Sequence, residues 1–274
     1  MTDQAFDGVF AMLDVLGFRR RMDTVPLEDL RDTVVGALVS SALTAELLVN
    51  HDRSRAGYPS EGLLRWAFFS DTVVLWLPSE ERRAKSALAS ITYTCQVMLA
   101  KAMWLNVPLR GAIAYGRCIV SPDPVYYLGK PILEAHDIEQ RQQWAGVVLC
   151  ESASALVDDL DSVRAVRWDV PLKAGTYGPG TVPKSMLAVD WPLCSMGPRH
   201  KALRADGTQD ADDGASPDWN ACFDSESGDV LAKKDATIAF FEDRQRNGGA
   251  FGTIFGPEQR DLVRRWRDLY NSGR

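Results

Sequence analysis

Apolar positions divide the first 165 residues into a regular series of strands and helices. Residues 8–18, GVFAMLDVLGF, form an almost unbroken apolar run that reads as a buried strand. One carboxylate, Asp14, sits inside it, and Gly17 follows three places later. From Pro26 to about Leu48 the apolar residues Leu30, Val34, Leu38 and Leu47 keep helical spacing, with Val35 and Val39 widening the stripe. A polar break, NHDRSRAGYPSEG, separates this helix from two strand-like runs, LLRWAFF and TVVLWLP. Only Ser70 and Asp71 lie between those runs, which is hairpin spacing. A long helix is predicted from Ser79, a candidate N-cap followed by Glu80 and Glu81, to Trp104. Its apolar stripe is Ala84, Leu88, Ile91, Cys95, Met98 and Ala102.

LRGAIAYGRCIV then reads as a strand in which Gly111 and Gly116 permit close backbone approach, and PVYYLG as a short one. Pro131 opens a helix reaching about Gln143, AGVVLC is a buried strand, and a helix is predicted over SASALVDDL. Beyond Trp168 the pattern weakens. Between Ala205 and Ala232 there are eight acidic residues and no basic one, the composition of a solvated loop spanning about 204–232. A terminal helix is predicted over about 257–272, with Leu262, Val263, Trp266, Leu269 and Tyr270 on one face. The expected organisation is a domain over 1–165 and a C-terminal extension over 166–274. The order β-α-β-β-α-β describes an α+β fold of ferredoxin-like layout, a mainly antiparallel sheet with helices on one face.

Composition narrows the function classes. A net charge of −6 argues against a nucleic-acid binder, which needs clustered Lys and Arg. No apolar stretch is expected to reach the roughly 18 residues of a membrane span. The acidic start, MTDQAFDG, does not read as a signal peptide. Five cysteines without CxxC or Cys/His ligand spacing suit a reducing compartment, so a cytoplasmic protein is expected. There is no GxxxxGK[ST] loop, which excludes a P-loop NTPase. His51, His136 and His200 read as loop or helix-surface residues.

The chemistry concentrates on two acids. Asp14 closes the first strand and Asp71 sits in the hairpin turn; if those strands pair, both carboxylates face one site across strands about 4.8 Å apart. Buried acids need hydrogen bonds, a charge partner or a metal, and carboxylate oxygens suit hard divalent cations such as Mg²⁺ or Mn²⁺. Gly17, in the turn that follows, allows a phosphate to approach the backbone. Metal and phosphate together imply a nucleoside triphosphate. On the residues alone, each acid also fits an ordinary turn or cap.

Four segments, FAMLDVLGF, FFSDTVVLW, LRGAIAYGRC and YYLGKPILEAHDIE, resemble the class III nucleotidyl cyclase catalytic domain in order and separation, over roughly residues 5–150. The resemblance implies that fold, with Asp14 and Asp71 holding two divalent cations, Mn²⁺ or Mg²⁺, and the Val15 carbonyl joining the coordination. It implies that Leu16, Gly17 and Phe18 bind the triphosphate, and that the ribose 3′-oxygen attacks the α-phosphorus to release pyrophosphate. It further implies a homodimer with its active site at the subunit interface.

Departures from the family pattern bear on the substrate. Where purine cyclases carry base-reading residues, this chain has Ala67 and Tyr126; where they carry a transition-state Asn and Arg, it has Leu133 and Asp137. Arg117 and Arg141, with Arg110 as a third, are the candidates to replace that pair. The motif set is most similar to the pyrimidine cyclases of bacterial Pycsar antiphage defence. That similarity implies UTP, or alternatively CTP, as substrate, and a cyclic nucleotide read by a separate effector protein. Arg65, Ala67 and Tyr126, with Trp66 nearby, are the base-pocket candidates. The competing expectations are a purine cyclase with unusual readers and a degenerate nucleotide-binding or interaction module.

Overall fold

A computed structural model of the chain describes residues 5–58, 62–122, 125–173, 181–192, 217–223 and 227–247. Strand β1 (Phe6–Val15) leads through the short helix α1 (Phe18–Thr24) into helix α2 (Leu27–Arg55), which contains a π-helical turn at Arg31–Val35. Strands β2 (Arg65–Phe69) and β3 (Thr72–Pro78) form the expected hairpin, and helix α3 (Ala84–Trp104) returns to strand β4 (Leu109–Pro122). After these come β5 (Val125–Gly129), α4 (Lys130–Arg141), β6 (Gly146–Leu149), α5 (Glu151–Ser154), β7 (Ala165–Lys173), β8 (Thr181–Val189), α6 (Trp219–Cys222) and α7 (Gly228–Asn247).

The sheet order is β2-β3-β1-β4-β6-β8-β7, with β5 paired to β4. Its first four strands are mutually antiparallel, in the β4-β1-β3-β2 arrangement that the β-α-β-β-α-β sequence order predicts. Only the β4–β6 pairing is parallel among the described strands. One sheet face packs on α2 and α3. Val9, Ala11, Leu13 and Val15 from β1 meet Val34, Leu38, Ala42, Leu48, Leu88, Ile91, Cys95 and Met98 there. All six members of the predicted α3 stripe are completely buried. The opposite face carries a second, smaller cluster, Phe10, Val74, Trp76, Cys118 and Val120, against which Ile132 of α4 packs. By length and composition α2 is apolar enough to cross a membrane, but half of its most apolar stretch is buried against the rest of the fold.

Several expected boundaries change. Ser79 does not cap α3; a 3₁₀ turn at Glu81–Arg83 intervenes, and the Ser79 hydroxyl turns to the carbonyl of Glu80. On α2, Leu48 and Val49 are buried where Leu47 was expected, and α5 is a single turn rather than a helix over SASALVDDL. The division at residue 165 does not separate two cores. β7 begins at Ala165, and the β7–β8 hairpin continues the same sheet. Helix α7 starts within the segment expected to be a solvated loop and closes over this end of the sheet. Phe240 lies edge-on to Trp144 and Trp168, at 4.9 and 5.2 Å between ring centroids, and Phe241 lies against Trp191 and Trp219. The terminal helix over 257–272, His200 and most of the acidic segment lie outside the described residues.

One ion pair fixes α7 in place. Two nitrogens of Arg244 converge on Oδ2 of Asp190, at 3.0 and 2.8 Å, and Asp190 is fully buried. Two turns earlier on α7, the Thr237 hydroxyl accepts the Ala145 amide. Removing the cation strands a buried carboxyl that burial already pushes above its usual range. Arg244→Ala is expected to lower unfolding stability by about 3–5 kcal/mol in urea titration; a loss below about 1 kcal/mol would show that α7 is held by its aromatic contacts alone.

Candidate active site

Strand alternation aims Asp14 away from the main core. Val9, Ala11, Leu13 and Val15 face α2 and α3, so Phe10, Met12 and Asp14 face the other way. Asp14 pairs with Thr72 on one side and Arg110 on the other. The Thr72 hydroxyl approaches its Oδ1 at 3.5 Å, and Arg110 Nη2 donates to its Oδ2 at 3.2 Å.

Asp71 is brought to the same place by the hairpin. Ser70 takes the left-handed conformation, φ 57°, which closes a two-residue turn, and the Asp71 carbonyl accepts the Val15 amide at 3.2 Å. The turn is thereby stapled to the end of β1. Desolvation is the largest force on the Asp14 carboxyl, followed by the charges of Glu139 and Asp71; Arg110 opposes them, and the net result pushes its pKa up to about 7. An acid held this way is short of positive charge.

Glu139, which sequence reasoning missed, completes the cluster. It lies on α4, 2% exposed, with Oε1 2.6 Å from Arg110 Nε in an ion pair that lacks hydrogen-bond alignment. Burial raises its pKa, and Arg110 followed by His136 counters that. Nothing in the polar stretch EAHDIEQR marks this one acid as buried; Ala135, one turn earlier on the same side, was the available signal.

The turn after β1 is partly committed. Gly17 adopts φ 78°, ψ 13°, which a side chain would strain. The Leu16 amide, expected to face a phosphate, instead donates to the Pro108 carbonyl at 2.9 Å. The start of α1 leaves the Phe18 and Arg19 amides without an intrahelical acceptor. Val15 pairs with Leu109 in the ladder.

The three candidate arginines separate. Arg110 reaches Asp14. Arg117 sits opposite Asp7 at the far end of β1, exposed, 3.7 Å from that acid and on the other side of the strand by alternation. Arg141 donates to the Lys173 carbonyl. The structure thus does not bring Arg117 or Arg141 to the acids of the same chain. Among the base-pocket candidates, Ala67 packs on the second cluster, the face Asp14 shares, and Arg65 pairs with Trp76. Trp66 faces the opposite way, its Nε1 donating to Glu46 at 2.7 Å, so it does not line that pocket. Tyr126 is exposed on β5, while Tyr127 lies edge-on to Trp76 at 5.9 Å; neither Trp76 nor Tyr127 was singled out by sequence. Leu133 and Asp137, four residues apart on α4, both face solvent.

Among the described residues no three His, Cys, Asp or Glu side chains form a preformed metal cluster. Two convergent carboxylates with a deficit of positive charge nevertheless suit a hard divalent cation, which takes one or two carboxylates and fills its remaining positions with phosphate and water.

No protein family model matches the sequence, and no curated protein matches it. Solved structures similar to it include the catalytic core of a rhodopsin-guanylyl cyclase with converted specificity in complex with ATPalphaS, 12% identical, TM-score 0.47, covering 68% of this chain and 97% of that one. Another is the monomeric guanylyl cyclase domain of the RhoGC fusion protein from the aquatic fungus Blastocladiella emersonii, 11% identical, TM-score 0.48, covering 68% and 96%. A third is a bacterial light-regulated adenylyl cyclase, 11% identical, TM-score 0.45, covering 69% and 92%. Likenesses of this size say nothing of this chain's substrate or activity.

The Asp14 shift has a sign that can be measured. A carboxyl raised from 3.8 to about 7 keeps its proton in the folded state where the unfolded chain has lost it. The stability this confers is present below pH 4 and is lost as pH rises from about 4 to 7. In EDTA the melting temperature is expected to fall between pH 5 and pH 8, and Asp14→Asn to flatten most of that fall. An unchanged slope in Asp14→Asn would mean Asp14 is ionised in the metal-free protein.

Proposed function

We propose that the chain is a metal-dependent nucleotidyl cyclase that converts a pyrimidine nucleoside triphosphate, UTP in preference to CTP, to its 3′,5′-cyclic monophosphate and pyrophosphate. The observation that carries this reading is the convergence of Asp14 and Asp71 at the ends of paired strands, beside a glycine turn in the left-handed conformation. Asp14, Asp71 and the Val15 carbonyl are the residues that would hold two divalent cations, Mn²⁺ or Mg²⁺. Bound there, the cations would lower the pKa of the ribose 3′-hydroxyl and offset charge on the phosphates.

The chain's own residues account for the rest. The turn at Gly17 and Phe18 lets the triphosphate lie against backbone amides. Arg110 puts a fixed positive charge next to Asp14, where negative charge accumulates as the 3′-oxygen bonds to the α-phosphorus and the bond to the β-phosphate oxygen breaks. Arg65, Ala67 and Tyr126 border the base, and Ala67 together with Tyr126 removes the side chains that would read a purine. Tyr126, Leu128, Leu133 and Phe69 are exposed apolar residues, which supports a homodimer whose interface completes the site. Resemblance to the Pycsar cyclases supports a role in antiphage defence, with a separate effector reading the product in the cytoplasm.

Leu133 and Asp137, standing where the family carries its transition-state Asn and Arg, favour a second reading, a module that binds nucleotide without turning it over. One assay separates the two. The purified protein is incubated with Mn²⁺ and each of the four NTPs, and products are resolved by mass spectrometry. The expected result is cyclic UMP, or cyclic CMP, that vanishes in Asp14→Ala and Asp71→Ala. A cyclic purine product would overturn the base assignment, and nucleotide binding without any cyclic product would favour the module.

A further inference from the structure

Arg110 stands between two carboxylates of unlike burial. Its Nε lies 2.6 Å from Glu139 Oε1, its Nη2 lies 3.2 Å from Asp14 Oδ2, and its Nη1 donates to the Gln142 carbonyl at 3.3 Å. Glu139 is 2% exposed at its side chain, while Asp14 retains 15%. The Oε2 of Glu139 accepts from Gln140 Nε2 at 3.0 Å, half-exposed His136 places Nδ1 3.9 Å from the same oxygen, and the Asp14 carboxyl adjoins Glu139 as well. Gln142, which fixes the third edge of the guanidinium, is itself fully buried; its side chain donates to the Gly111 carbonyl and accepts from Trp144 Nε1.

Arginine binds a carboxylate most strongly as a two-pronged fork that occupies both oxygens. Here the fork is divided. Glu139 holds the Nε side and Gln142 one terminal nitrogen, so Asp14 receives a single N–H on Oδ2. The Thr72 hydroxyl approaches its Oδ1 at 3.5 Å, and the carboxyls of Asp71 and Glu139 adjoin the Asp14 carboxyl. A cation approaching Asp14 therefore meets a carboxyl that shares one N–H with Arg110 rather than a closed two-pronged ion pair.

We infer that Glu139 is a positioning residue. It anchors Arg110 so that the guanidinium stays beside Asp14 without closing on both of its oxygens, which keeps the metal-binding edge of Asp14 open. Without that anchor the guanidinium turns its full fork to Asp14 and competes with the incoming cation. This inference rests on the reading of Asp14 as a metal ligand.

The test measures Mn²⁺ binding to the full chain without nucleotide, through the electron paramagnetic resonance signal of free Mn²⁺. Glu139→Gln keeps the shape and loses the charge; Glu139→Asp keeps the charge and withdraws the anchor by one methylene. Both are expected to raise the Mn²⁺ dissociation constant about tenfold. In an Arg110→Gln background the same changes are expected to matter by less than about twofold. Wild-type affinity in both Glu139 variants overturns the inference, because Arg110 would then not need its anchor. Equal weakening with and without Arg110 also overturns it, and makes Glu139 a ligand or a source of charge in its own right. If the wild-type chain binds no Mn²⁺, the metal reading falls and the inference with it, an outcome told from the others by the wild-type titration alone.

Discussion

Register is the constraint on which this molecule depends. β1 must align with β3 and β4 together so that one residue, Asp14, lies opposite Thr72 on one side and Arg110 on the other. Strand alternation makes this an all-or-none condition, because a slip by one residue would turn Asp14 into the α2/α3 core and bring Leu13 out in its place. The large apolar residues on the core-facing side of β1 hold the alignment. The Val15 amide, bonded to the Asp71 carbonyl, then sets the hairpin turn against the same strand end. Packing of one sheet face thus decides the chemistry of the other.

The site stores unfavourable electrostatics that this packing offsets. Asp14 lies beside two other acids, Asp71 and Glu139, with one guanidinium between Asp14 and Glu139, and burial rather than any single charge is the largest cause of the raised pKa of Asp14. Such a cluster costs stability in the metal-free protein. The strands that carry it are correspondingly fixed by fully buried neighbours such as Leu13, Leu75 and Ile113. Helix α4 contributes at both ends: Ile132 packs on the second cluster, and Glu139, two turns later, holds Arg110.

The elements with clean periodicity were legible from the sequence. The α3 stripe and the β1, β3 and β4 runs are apolar enough to announce themselves, and the Asp14–Asp71 pairing followed from strand order. The β7–β8 hairpin was not seen because its strands mix charge and proline into the alternation, as in AVRWDVPLK, where only three of the nine residues are buried. Helix α7 was missed because it buries only Thr237, Phe240 and Phe241 and follows an acidic stretch. In the site, composition could not rank three arginines; register did, since a seven-residue offset along β4 sends Arg117 to the far end and opposite side from Arg110. Glu139 was hidden because burial of one acid among several on a polar helix is decided by what the helix crosses.

If Asp14 and Asp71 jointly hold a divalent cation against a triphosphate, the metal must lie between the two carboxylates. Diffraction at the manganese absorption edge, from crystals grown with Mn²⁺ and a non-cyclisable UTP analogue, tests it most directly. The expected result is an anomalous peak within bonding distance of both carboxylates, with the triphosphate lying along the Gly17 turn. Nucleotide bound with no manganese between Asp14 and Asp71, and Arg110 still paired to Asp14, would contradict it.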